Sequence, residues 1–546
     1  MKIENNKFKV FYKSTLYCGF TIVELIVVIS VIAILTAIAV VSYGGMVRKA
    51  STVSIQSDLD SAISQLAIDK YKNGTYPLTA NDVDNNNGFK LSPNTIIDYK
   101  YKASNNSYCV MTQNSYGDSY YSTSNVNKIS QGYCPVSFVI ASGGPLQDNA
   151  VAIAQSNDST YVIAGETYNN TAGADDAYIA KFKNDGTPIW AKTLGTTGNE
   201  LAEDVIKTND GGYVMIGQYA SPYFIAKYTV DGVLLWTKTL LITLKSIKQT
   251  SDNGYLIAGS TYSYGAGNGD AILIKLGANG AFSWSKTWGG ATGAETGLDA
   301  IQSSDGGYVM TGQTASFGSG SYDIFVVKYT SNGTLVWDKV WGGSGDDQVW
   351  QIIQTSDSNY VIVGNTPILK DGWNFADILV IKFSQSDGSI IWQSVNGANR
   401  YDYGKGIVET SDGFFVAGTS NYMIHDYDIS LSKYTKDGSL SWIKAVSNTS
   451  TDQARSIALA NDGGVLITGF TMMGTNSEAI VVKYNSDGTI DNCDISLCIT
   501  PVVTPGTPTI SLSDPNAVES SPTLVVSSVS PTVLTPAFAQ TMLAAP

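Results

Sequence analysis

A unit of about 50 residues repeats along the centre of this chain and restricts its fold more than any other feature. The stretches DVIKTNDGGYVMIGQY (204–219) and DAIQSSDGGYVMTGQT (299–314) show its first half, and DIFVVKYTSNGTLVWDK is one copy of its second half. Asp-Gly pairs such as Asp210-Gly211 separate short apolar runs, and we expect primed hairpin turns at these pairs. Seven repeats of four short strands predict an all-β, seven-bladed β-propeller over residues 137–490.

One tryptophan and one lysine recur in the second half of the unit. The tryptophans are Trp190, Trp236, Trp284, Trp337, Trp392 and Trp442, and the lysines are Lys181, Lys227, Lys275, Lys328, Lys382, Lys433 and Lys483. Shared packing explains a residue that occurs in every blade, whereas an active site has to break the sevenfold symmetry. We therefore interpret the tryptophans as blade anchors. A turn followed by tryptophan resembles the blades of quinoprotein-like (PQQ-type) propellers, but no ligands for their metal and cofactor can be assigned.

The seventh repeat has a poor fourth strand, and this predicts how the ring closes. In six repeats the glycine of the second turn precedes tryptophan by four residues, but Asn492 holds that place after Gly488. The stretch FVIASGG precedes the first repeat and puts Phe138 at the tryptophan position. An open ring would leave strand edges unpaired. We therefore expect residues 137–142 to close blade seven by pairing with the strand around Ile480–Tyr484.

An apolar run near the N-terminus contains one carboxylate. The run follows four lysines and extends to about Val41, so it is long enough to span a bilayer as a helix. Glu24 lies within it, at a cost of roughly 2.5–3.5 kcal/mol, and so requires a functional reason. The stretch GFTIVEL (19–25) resembles the prepilin signal of type IV pilins and pseudopilins. The resemblance implies that a prepilin peptidase cleaves after Gly19, that Phe20 becomes methylated, and that Glu24 pairs with the N-terminal amine of a neighbouring subunit.

The same resemblance implies how the first 134 residues are organised. It predicts a leader at 1–19, a long helix at 20–72 whose first half is transmembrane, and a small α+β pilin head at 73–134. Asn73-Gly74 is expected to end the helix. Apolar residues recur at mostly helical spacing in its second half, namely Val53, Ile55, Leu59, Ile63, Leu66 and Tyr71.

Residues 491–546 form a cysteine-containing loop followed by a tail rich in Pro, Ser and Thr, which we expect to be disordered. Four cysteines remain once the leader is removed, and an even number fits an oxidising compartment. The favoured disulfides are Cys109–Cys134 and Cys493–Cys498, and the pairing of Cys134 with Cys493 stays open.

Composition and motifs argue against several classes of function. The net charge of −14 disfavours nucleic acid, whose binding needs Lys and Arg. His425 is the only histidine, and the chain contains no zinc-binding pattern, nucleophile elbow or phosphate-binding loop. We therefore expect no enzymatic activity, no metal and no cofactor. A propeller enzyme, as the alternative, would need a symmetry-breaking cluster of His and acids in the central channel, which His425 alone does not provide.

The loops after the second and fourth strands share one face of a propeller, and this face is the predicted binding surface. Its aromatic residues are Tyr262, Tyr264, Phe317, Tyr322, Trp373, Phe375, Tyr422 and Tyr427. The carboxylates of the interblade loops are Glu200, Glu203, Glu295, Asp299, Asp346, Asp347, Asp402 and Asp452. Such a combination suits a glycan or a calcium-bridged ligand. Acids at equivalent places would equally serve to bind turn backbone groups.

These features together predict a minor or tip type IV pilin-like subunit that displays a propeller for adhesion or surface interaction. The expected partners are other pilin subunits, bound through the N-terminal helix, the prepilin peptidase and the membrane. The expected location is the inner membrane, single-pass with the N-terminus inside, and then the pilus or cell surface. One alternative is a pseudopilin-like component of a type II-like secretion system, and another is a membrane-anchored propeller enzyme.

Overall fold

The computed structural model of the chain divides into two compact units, Met1–Cys134 and Pro135–Pro546. Between residues 22 and 490 it describes every residue outside 103–106, 116–118, 124–128, 132–137, 144–146, 157–159, 170–173, 196–197, 220–221, 371–372, 398–400, 422–426, 447–450 and 474–475. After residue 490 it describes 498–499, 504–506, 511–513, 518–520, 532–534 and 539–542. Over residues 22–45, 138–143 and the segments after 490, the description is of the backbone.

The N-terminal unit is a long helix that packs on a small antiparallel sheet. Its helical elements are α1 (Ile22–Asn73), a 3₁₀ turn (Ala80–Asp82) and α2 (Val83–Asn86). Its strands are β1 (Ile96–Lys102), β2 (Ser107–Gln113), β3 (Ser119–Thr123) and β4 (Ser130–Gln131). These strands are adjacent in chain order, so the sheet is a simple meander.

One face of α1 packs on the sheet. Leu59 and Leu66 are fully buried in a cluster with Val110 of β2. Val53 and Tyr71 are 59% and 92% exposed, so these two members of the apolar pattern lie off the buried face. Successive residues of a helix are rotated by 100°, so residues spaced by three and four share one face. Val53 is two residues before Ile55 and Tyr71 is five residues after Leu66, and both spacings turn the side chain away from that face.

The end of α1 agrees with the sequence. The helix ends at Asn73, and Gly74 follows with a φ of +78°. The Gly74 amide donates to the Lys70 carbonyl at 2.8 Å, which is the bond expected of a left-handed cap.

No helix among the described residues is both long enough and apolar enough to cross a membrane. The predicted leader, with Gly19, and Phe20 lie outside the described residues, as does the Glu24 side chain. The predicted transmembrane half of α1 falls mainly on residues 22–45, where only the backbone is described.

The second unit is a ring of four-stranded antiparallel sheets, in which six blades use consecutive strands. A strand that precedes the ring in the chain is β5 (Phe138–Gly143). Blade 1 is β6 (Asp148–Gln155), β7 (Thr160–Asn169), β8 (Ala174–Lys183) and β9 (Pro188–Gly195). Blade 2 is β10 (Leu201–Lys207), β11 (Tyr213–Gln218), β12 (Tyr223–Tyr228) and β13 (Leu234–Leu240). Blade 3 is β14 (Thr243–Gln249), β15 (Tyr255–Thr261), β16 (Asp270–Leu276) and β17 (Phe282–Gly289).

The remaining blades repeat this arrangement. Blade 4 is β18 (Glu295–Gln302), β19 (Tyr308–Thr314), β20 (Asp323–Tyr329) and β21 (Leu335–Gly342). Blade 5 is β22 (Gln348–Gln354), β23 (Tyr360–Lys370), β24 (Trp373–Phe383) and β25 (Ile390–Gly397). Blade 6 is β26 (Asp402–Glu409), β27 (Gly413–Ser420), β28 (Asp428–Thr435) and β29 (Leu440–Val446). Blade 7 contains β30 (Asp452–Leu459), β31 (Val465–Met473) and β32 (Asn476–Tyr484).

The first strand of the ring completes its last blade. Strand β5 pairs antiparallel with β32, with Phe138 opposite Lys483 and Ala141 opposite Ile480. In the other blades a tryptophan stands opposite the repeated lysine, as Trp284 does with Lys275. The structure therefore contains the pairing expected for residues 137–142 and places the Phe138 backbone at the tryptophan position.

The hydrophobic core lies between the blades rather than at one centre. Seven clusters of buried side chains each join two neighbouring blades. One of them joins Tyr161 and Ile163 of blade 1 to Leu466 and Val481 of blade 7. This continuous set of interfaces holds the inner strands around a central channel.

Six short segments of the C-terminal tail form outer strands, where we expected a disordered tail. They are β33 (Cys498–Ile499) on blade 6, β34 (Thr504–Gly506) on blade 5, β35 (Ser511–Ser513) on blade 4, β36 (Val518–Ser520) on blade 3, β37 (Thr532–Leu534) on blade 1 and β38 (Ala539–Met542) on blade 7. The outer strand of a blade presents unpaired backbone groups. A polar segment can therefore add a strand there without burying apolar side chains. The rest of the tail lies outside the described residues.

The hairpin turns differ in type from the expected primed turns. In the 208–212 turn only Gly211 has a positive φ, +84°, and its amide donates to the Thr208 carbonyl at 2.9 Å. This is an ordinary turn followed by one left-handed residue, the common three-residue hairpin. Asn253 and Ser358 take the equivalent place in blades 3 and 5, with φ of +62° and +68°.

Candidate binding site in the central channel

The repeated tryptophans serve as anchors between blades. The Trp190 indole N–H donates to the Val230 carbonyl of the next blade at 3.2 Å. A Cβ at Gly232, in the same turn, would lie 2.9 Å from that indole. Trp337 and Trp392 make the same type of bond to the blade that follows. These contacts agree with a packing role for the tryptophans.

The repeated lysines also have a structural role. Lys227 binds Asp210 at 2.7 Å, and Lys275 binds Asp252 at 2.9 Å, in each case from the third strand to the first hairpin turn of the same blade. Hydrogen bonds from the lysine, a threonine and a backbone amide outweigh burial and lower the pKa of Asp210 to about 2. These buried lysines are therefore neutralised within the fold.

The carboxylates predicted in the interblade loops have three environments: Asp346 is exposed, Glu203 and Asp299 line the channel, and the others are fully buried, namely Glu200, Glu295, Asp347, Asp402 and Asp452. Glu295 and Asp347 are fully buried and accept loop amides, with Gly290 N at 3.0 Å and Gly343 N at 2.7 Å. Glu203 and Asp299 lie within inner strands and line the channel. The described residues contain no group of three or more potential metal ligands among His, Cys, Asp and Glu.

The predicted aromatic face is partly exposed. Tyr262 is 79% exposed and Tyr322 is 39% exposed. Phe317 instead packs on Trp288, with ring centroids 5.4 Å apart. The side chain of Trp373 and the whole of Tyr422 lie outside the described residues, as do His425 and the side chains of Cys109, Cys134, Cys493 and Cys498.

A β-bulge at the same place in every inner strand forms the channel wall. The register shifts there by one residue, for example between Val349 and Gln351, which leaves Trp350 as the extra residue. The seven extra residues all line one cavity of about 260 Å³: Val151, Glu203, Lys245, Leu298, Trp350, Lys405 and Arg455. A bulge re-aims a side chain, and bulges are frequent next to binding sites.

A glycine in each second strand makes room for the bulge. A Cβ at Gly364 would lie 1.8 Å from the Gln348 carbonyl oxygen of the inner strand, and one at Gly259 would lie 1.9 Å from that of Thr243. Five further glycines meet the inner strand in the same way, namely Gly165, Gly217, Gly312, Gly418 and Gly469. The glycines are part of the repeat, whereas the bulged residues differ in every blade.

Blades 2 to 4 place paired charges in the channel. Lys245 binds Glu203 at 2.8 Å, while Lys248 binds Asp204 at 3.2 Å and Asp299 at 3.3 Å. Burial lowers the pKa of Lys248, but the two aspartates outweigh it and raise this pKa above its ordinary value. Asp204 and Asp299 also accept the Ile247 and Ile352 amides of the next blades, each at 3.0 Å. On this side of the channel both lysines are therefore ion-paired, with three carboxylates to two lysines.

Blades 5 to 7 place an aromatic ring and two cations there. The Lys405 ammonium lies 3.4 Å from the centre of the Trp350 ring, and the indole N–H donates to Asn365 at 3.2 Å. Burial, with a contribution from Arg455, lowers the pKa of Lys405 to about 7. Burial also lowers the pKa of Arg455. This cluster breaks the sevenfold symmetry of the channel and consists of lysine, arginine and tryptophan, not of the histidine and acids named for a propeller enzyme.

The sequence analysis missed Trp350, Lys405 and Arg455. The detectable signal is the last residue of a four-residue stretch at the start of each inner strand, as in DQVW (347–350), DYGK (402–405) and DQAR (452–455). This position runs through Val, Glu, Lys, Leu, Trp, Lys and Arg in successive blades. Its variation becomes meaningful only when the ring brings the seven residues together.

Comparisons with known proteins agree with the fold. Residues 156–188 and 460–492 match a family described as "Domain of unknown function (DUF5122) beta-propeller". No curated protein matches the chain. The matched segments lie in blades 1 and 7, and with the seven sheets they support one statement about the central region. It is a seven-bladed β-propeller.

Several solved structures are similar at low identity. A protein of unknown function from Bacteroides caccae is 7% identical, with a TM-score of 0.29, over 57% of this chain and 93% of that chain. Puromycin hydrolase is 10% identical, with a TM-score of 0.41, over 66% of this chain and 55% of that chain. Chaetomium thermophilum Sqt1, bound to the N-terminus of ribosomal protein L10, is 13% identical, with a TM-score of 0.39, over 64% and 87%. Likeness at this level carries no argument about activity.

Proposed function

We propose that this chain is a type IV pilin-like subunit that displays its propeller outside the cell, where the propeller binds a surface ligand. One observation carries the proposal. The GFTIVEL motif stands directly at the start of α1, a 52-residue helix whose C-terminal part packs on a four-stranded antiparallel sheet. A prepilin signal, a long helix and a small head in this order are the parts of a pilin-like subunit.

The N-terminal segment supplies the anchor and the assembly contact. In the proposal, cleavage after Gly19 exposes the Phe20 amine, and the apolar run from residue 20 holds the subunit in the inner membrane. Glu24 would then pair with the amine of a neighbouring subunit, because an opposite charge offsets the cost of a buried carboxylate. The propeller, at the other end of the chain, has a binding role rather than a catalytic one.

The experiment is N-terminal mass spectrometry on the membrane and filament fractions of the producing cell. We expect a mature chain that begins at methylated Phe20. A mature chain that begins at Val40, after the A-x-A stretch Ala37–Ala39 at which a conventional secretory signal peptide would be cut, or at Met1 would contradict the proposal.

A Glu24→Ala variant tests the assembly contact. It should still enter the membrane but be depleted from filaments, since the Phe20 amine loses its partner. Asp60→Ala is the matched control, because Asp60 lies on the exposed side of the same helix. Equal incorporation of the two variants into filaments would rule out the charge-pair account.

A further inference from the structure

Four cations line the channel, and two of them lack the carboxylate partners that the other two have. Lys245 and Lys248 are ion-paired, whereas among the described residues Lys405 and Arg455 form no ion pair. Lys405 and Arg455 are the bulged residues of adjacent inner strands, β26 and β30, and line the same cavity. In a chain of net charge −14, this pair creates a local site for a negatively charged group.

An aromatic path leads from the propeller face to this pair. Trp350 lies beneath the Lys405 ammonium, and the ring of Tyr403 is 5.7 Å from the same ammonium. Tyr401 stacks parallel to Tyr403 at 6.1 Å and is 39% exposed at the outer end of the path. Phe375 meets Tyr401 edge-on at 5.3 Å. The path belongs to blades 5 and 6 and ends at the Lys405 ammonium, which lines the cavity together with Trp350 and Arg455.

We infer that the channel binds an acidic saccharide, with its carboxylate between Lys405 and Arg455 and its ring against Trp350 and Tyr403. This inference rests on the proposed binding role of the propeller and names the class of ligand. Aromatic faces suit the apolar face of a sugar ring, while charge-assisted hydrogen bonds to lysine and arginine fix a carboxylate. A cavity of about 260 Å³ suits one sugar ring.

Lys405 gives the site a pH dependence. Its pKa of about 7 means that it is charged at pH 6 and mostly neutral at pH 8. The charged groups that surround it in the channel are Arg455, the Glu203–Lys245 pair and the Asp204–Lys248–Asp299 group, and on its own strand Asp402 is buried. The Glu166 carboxylate of blade 1 lies near Arg455 and opposes the lowering of its pKa by burial. The affinity for an anion should therefore fall about fivefold to tenfold from pH 6 to pH 8.

The test is calorimetric titration of the full-length, detergent-solubilised protein with sodium glucuronate. N-acetylneuraminic acid, glucose and inorganic phosphate serve as comparison probes. We expect at least one of the two sugar acids to bind, and glucose to bind at least about tenfold more weakly, because it lacks the carboxylate. If glucose bound as tightly as the tighter of the two sugar acids, or if neither sugar acid bound, the inference would be overturned.

Four variants assign the binding to the channel. Lys405→Met and Arg455→Met should each weaken binding of the sugar acid by about tenfold or more, whereas Lys183→Met, an exposed lysine of blade 1, should leave it unchanged. Lys405→Arg should bind as well at pH 8 as at pH 6, because arginine stays charged. An unchanged pH profile in Lys405→Arg would contradict the role of Lys405.

Trp350→Leu separates a saccharide site from a simple anion site. It should weaken the sugar acid several-fold and leave phosphate unaffected, with thermal unfolding used to confirm that the variant is folded. If phosphate bound as tightly as the sugar acid and Trp350→Leu had no effect on either affinity, the channel would be an anion site without saccharide recognition. That result would overturn the inference. These titrations do not depend on the processing of Phe20, so they can fail while the pilin-like role holds, and the reverse.

Discussion

At the scale of the residue, aspartates in two parts of the same blade have opposite acid–base behaviour. In the first hairpin turn of blade 4, burial is outweighed by hydrogen bonds from Lys328 and Gly307, which lower the pKa of Asp305. At the start of β20, burial and the charge of Asp347 raise the pKa of Asp323 to about 7. Burial likewise raises the pKa of Asp347. The fold thus stabilises the ionised form at the turn and the protonated form at the junction between blades.

The Asp323 carboxyl predicts that the protein loses stability as the pH rises from 5 to 8. Its pKa is higher in the folded state than in the unfolded chain, so the folded state binds the extra proton and loses that advantage as the pH passes about 7. Its contribution should fall by about 2–3 kcal/mol over this range. Thermal unfolding with EDTA in every buffer measures the effect.

Asp323→Asn should remove this part of the pH dependence. The variant should resemble the wild type at pH 5 and be more stable than it at pH 8, because the amide mimics the protonated acid. Asp305→Asn is the control, since it loses the ion pair with Lys328 and should be destabilised at both pH values. A wild-type curve that is flat or rising between pH 5 and 8 would show that this account is mistaken.

At the scale of the element, the inner strand and its neighbour form one unit, a bulge facing a glycine. The bulge turns one residue per blade towards the channel. The glycine has no Cβ, so the backbone of the inner strand can approach it closely. The repeated part of the unit sets the geometry, and the bulged residue can vary freely because its side chain packs against no fixed neighbour in the repeat. This separates the fold from the chemistry of the site.

Gly364→Ala should destabilise the protein and displace the strand that carries Trp350. A Cβ at this position would lie 1.8 Å from the Gln348 carbonyl oxygen, so the inner strand has to move. We expect a loss of about 1–3 kcal/mol in the free energy of unfolding, measured by chemical denaturation. Gly277→Ala is the control, because its Cβ would meet nothing closer than 3.5 Å. Equal stability of the two variants would contradict the close-approach argument.

At the scale of the whole molecule, both ends of the propeller meet in one sheet. Strand β5, from the start of the unit, lies between β32 and the tail strand β38 in blade 7. From its start to its end, the tail pairs its described strands with the outer edges of blades 6, 5, 4, 3, 1 and 7 in turn. Around the ring, this order is the reverse of the order in which the chain forms the blades. Unpaired edges are thereby covered, which disfavours opening of the ring and pairing with other chains.

A disulfide across the closure tests the register. Ala141 and Ile480 are direct partners, so a chain with Ala141→Cys and Ile480→Cys should form a bond between them on oxidation. The bond should raise the unfolding free energy by about 2–4 kcal/mol. Peptide mapping by mass spectrometry identifies the link, and Ala141→Cys with Val230→Cys, on exposed blade 2 surface, is the control pair. No 141–480 link in the oxidised protein would refute this closure.

The sequence by itself determined the features that depend on neighbouring residues. The blade number, the hairpins and the end of α1 at Gly74 follow from turn residues and apolar periodicity, which act over a few positions. The closing strand was also predictable, because its spacing repeats that of the other blades. Even here the turn type was wrong, since one left-handed glycine is compatible with more than one kind of hairpin.

Only the tertiary structure decided which residues make the site. Trp350, Lys405 and Arg455 are about 50 residues apart in the chain and meet because the ring places the bulges of successive inner strands side by side. The exposed places of Val53 and Tyr71 and the pairing of the tail segments were decided in the same way. Each depends on a surface supplied by another part of the chain, and local sequence carries no record of where that surface will lie.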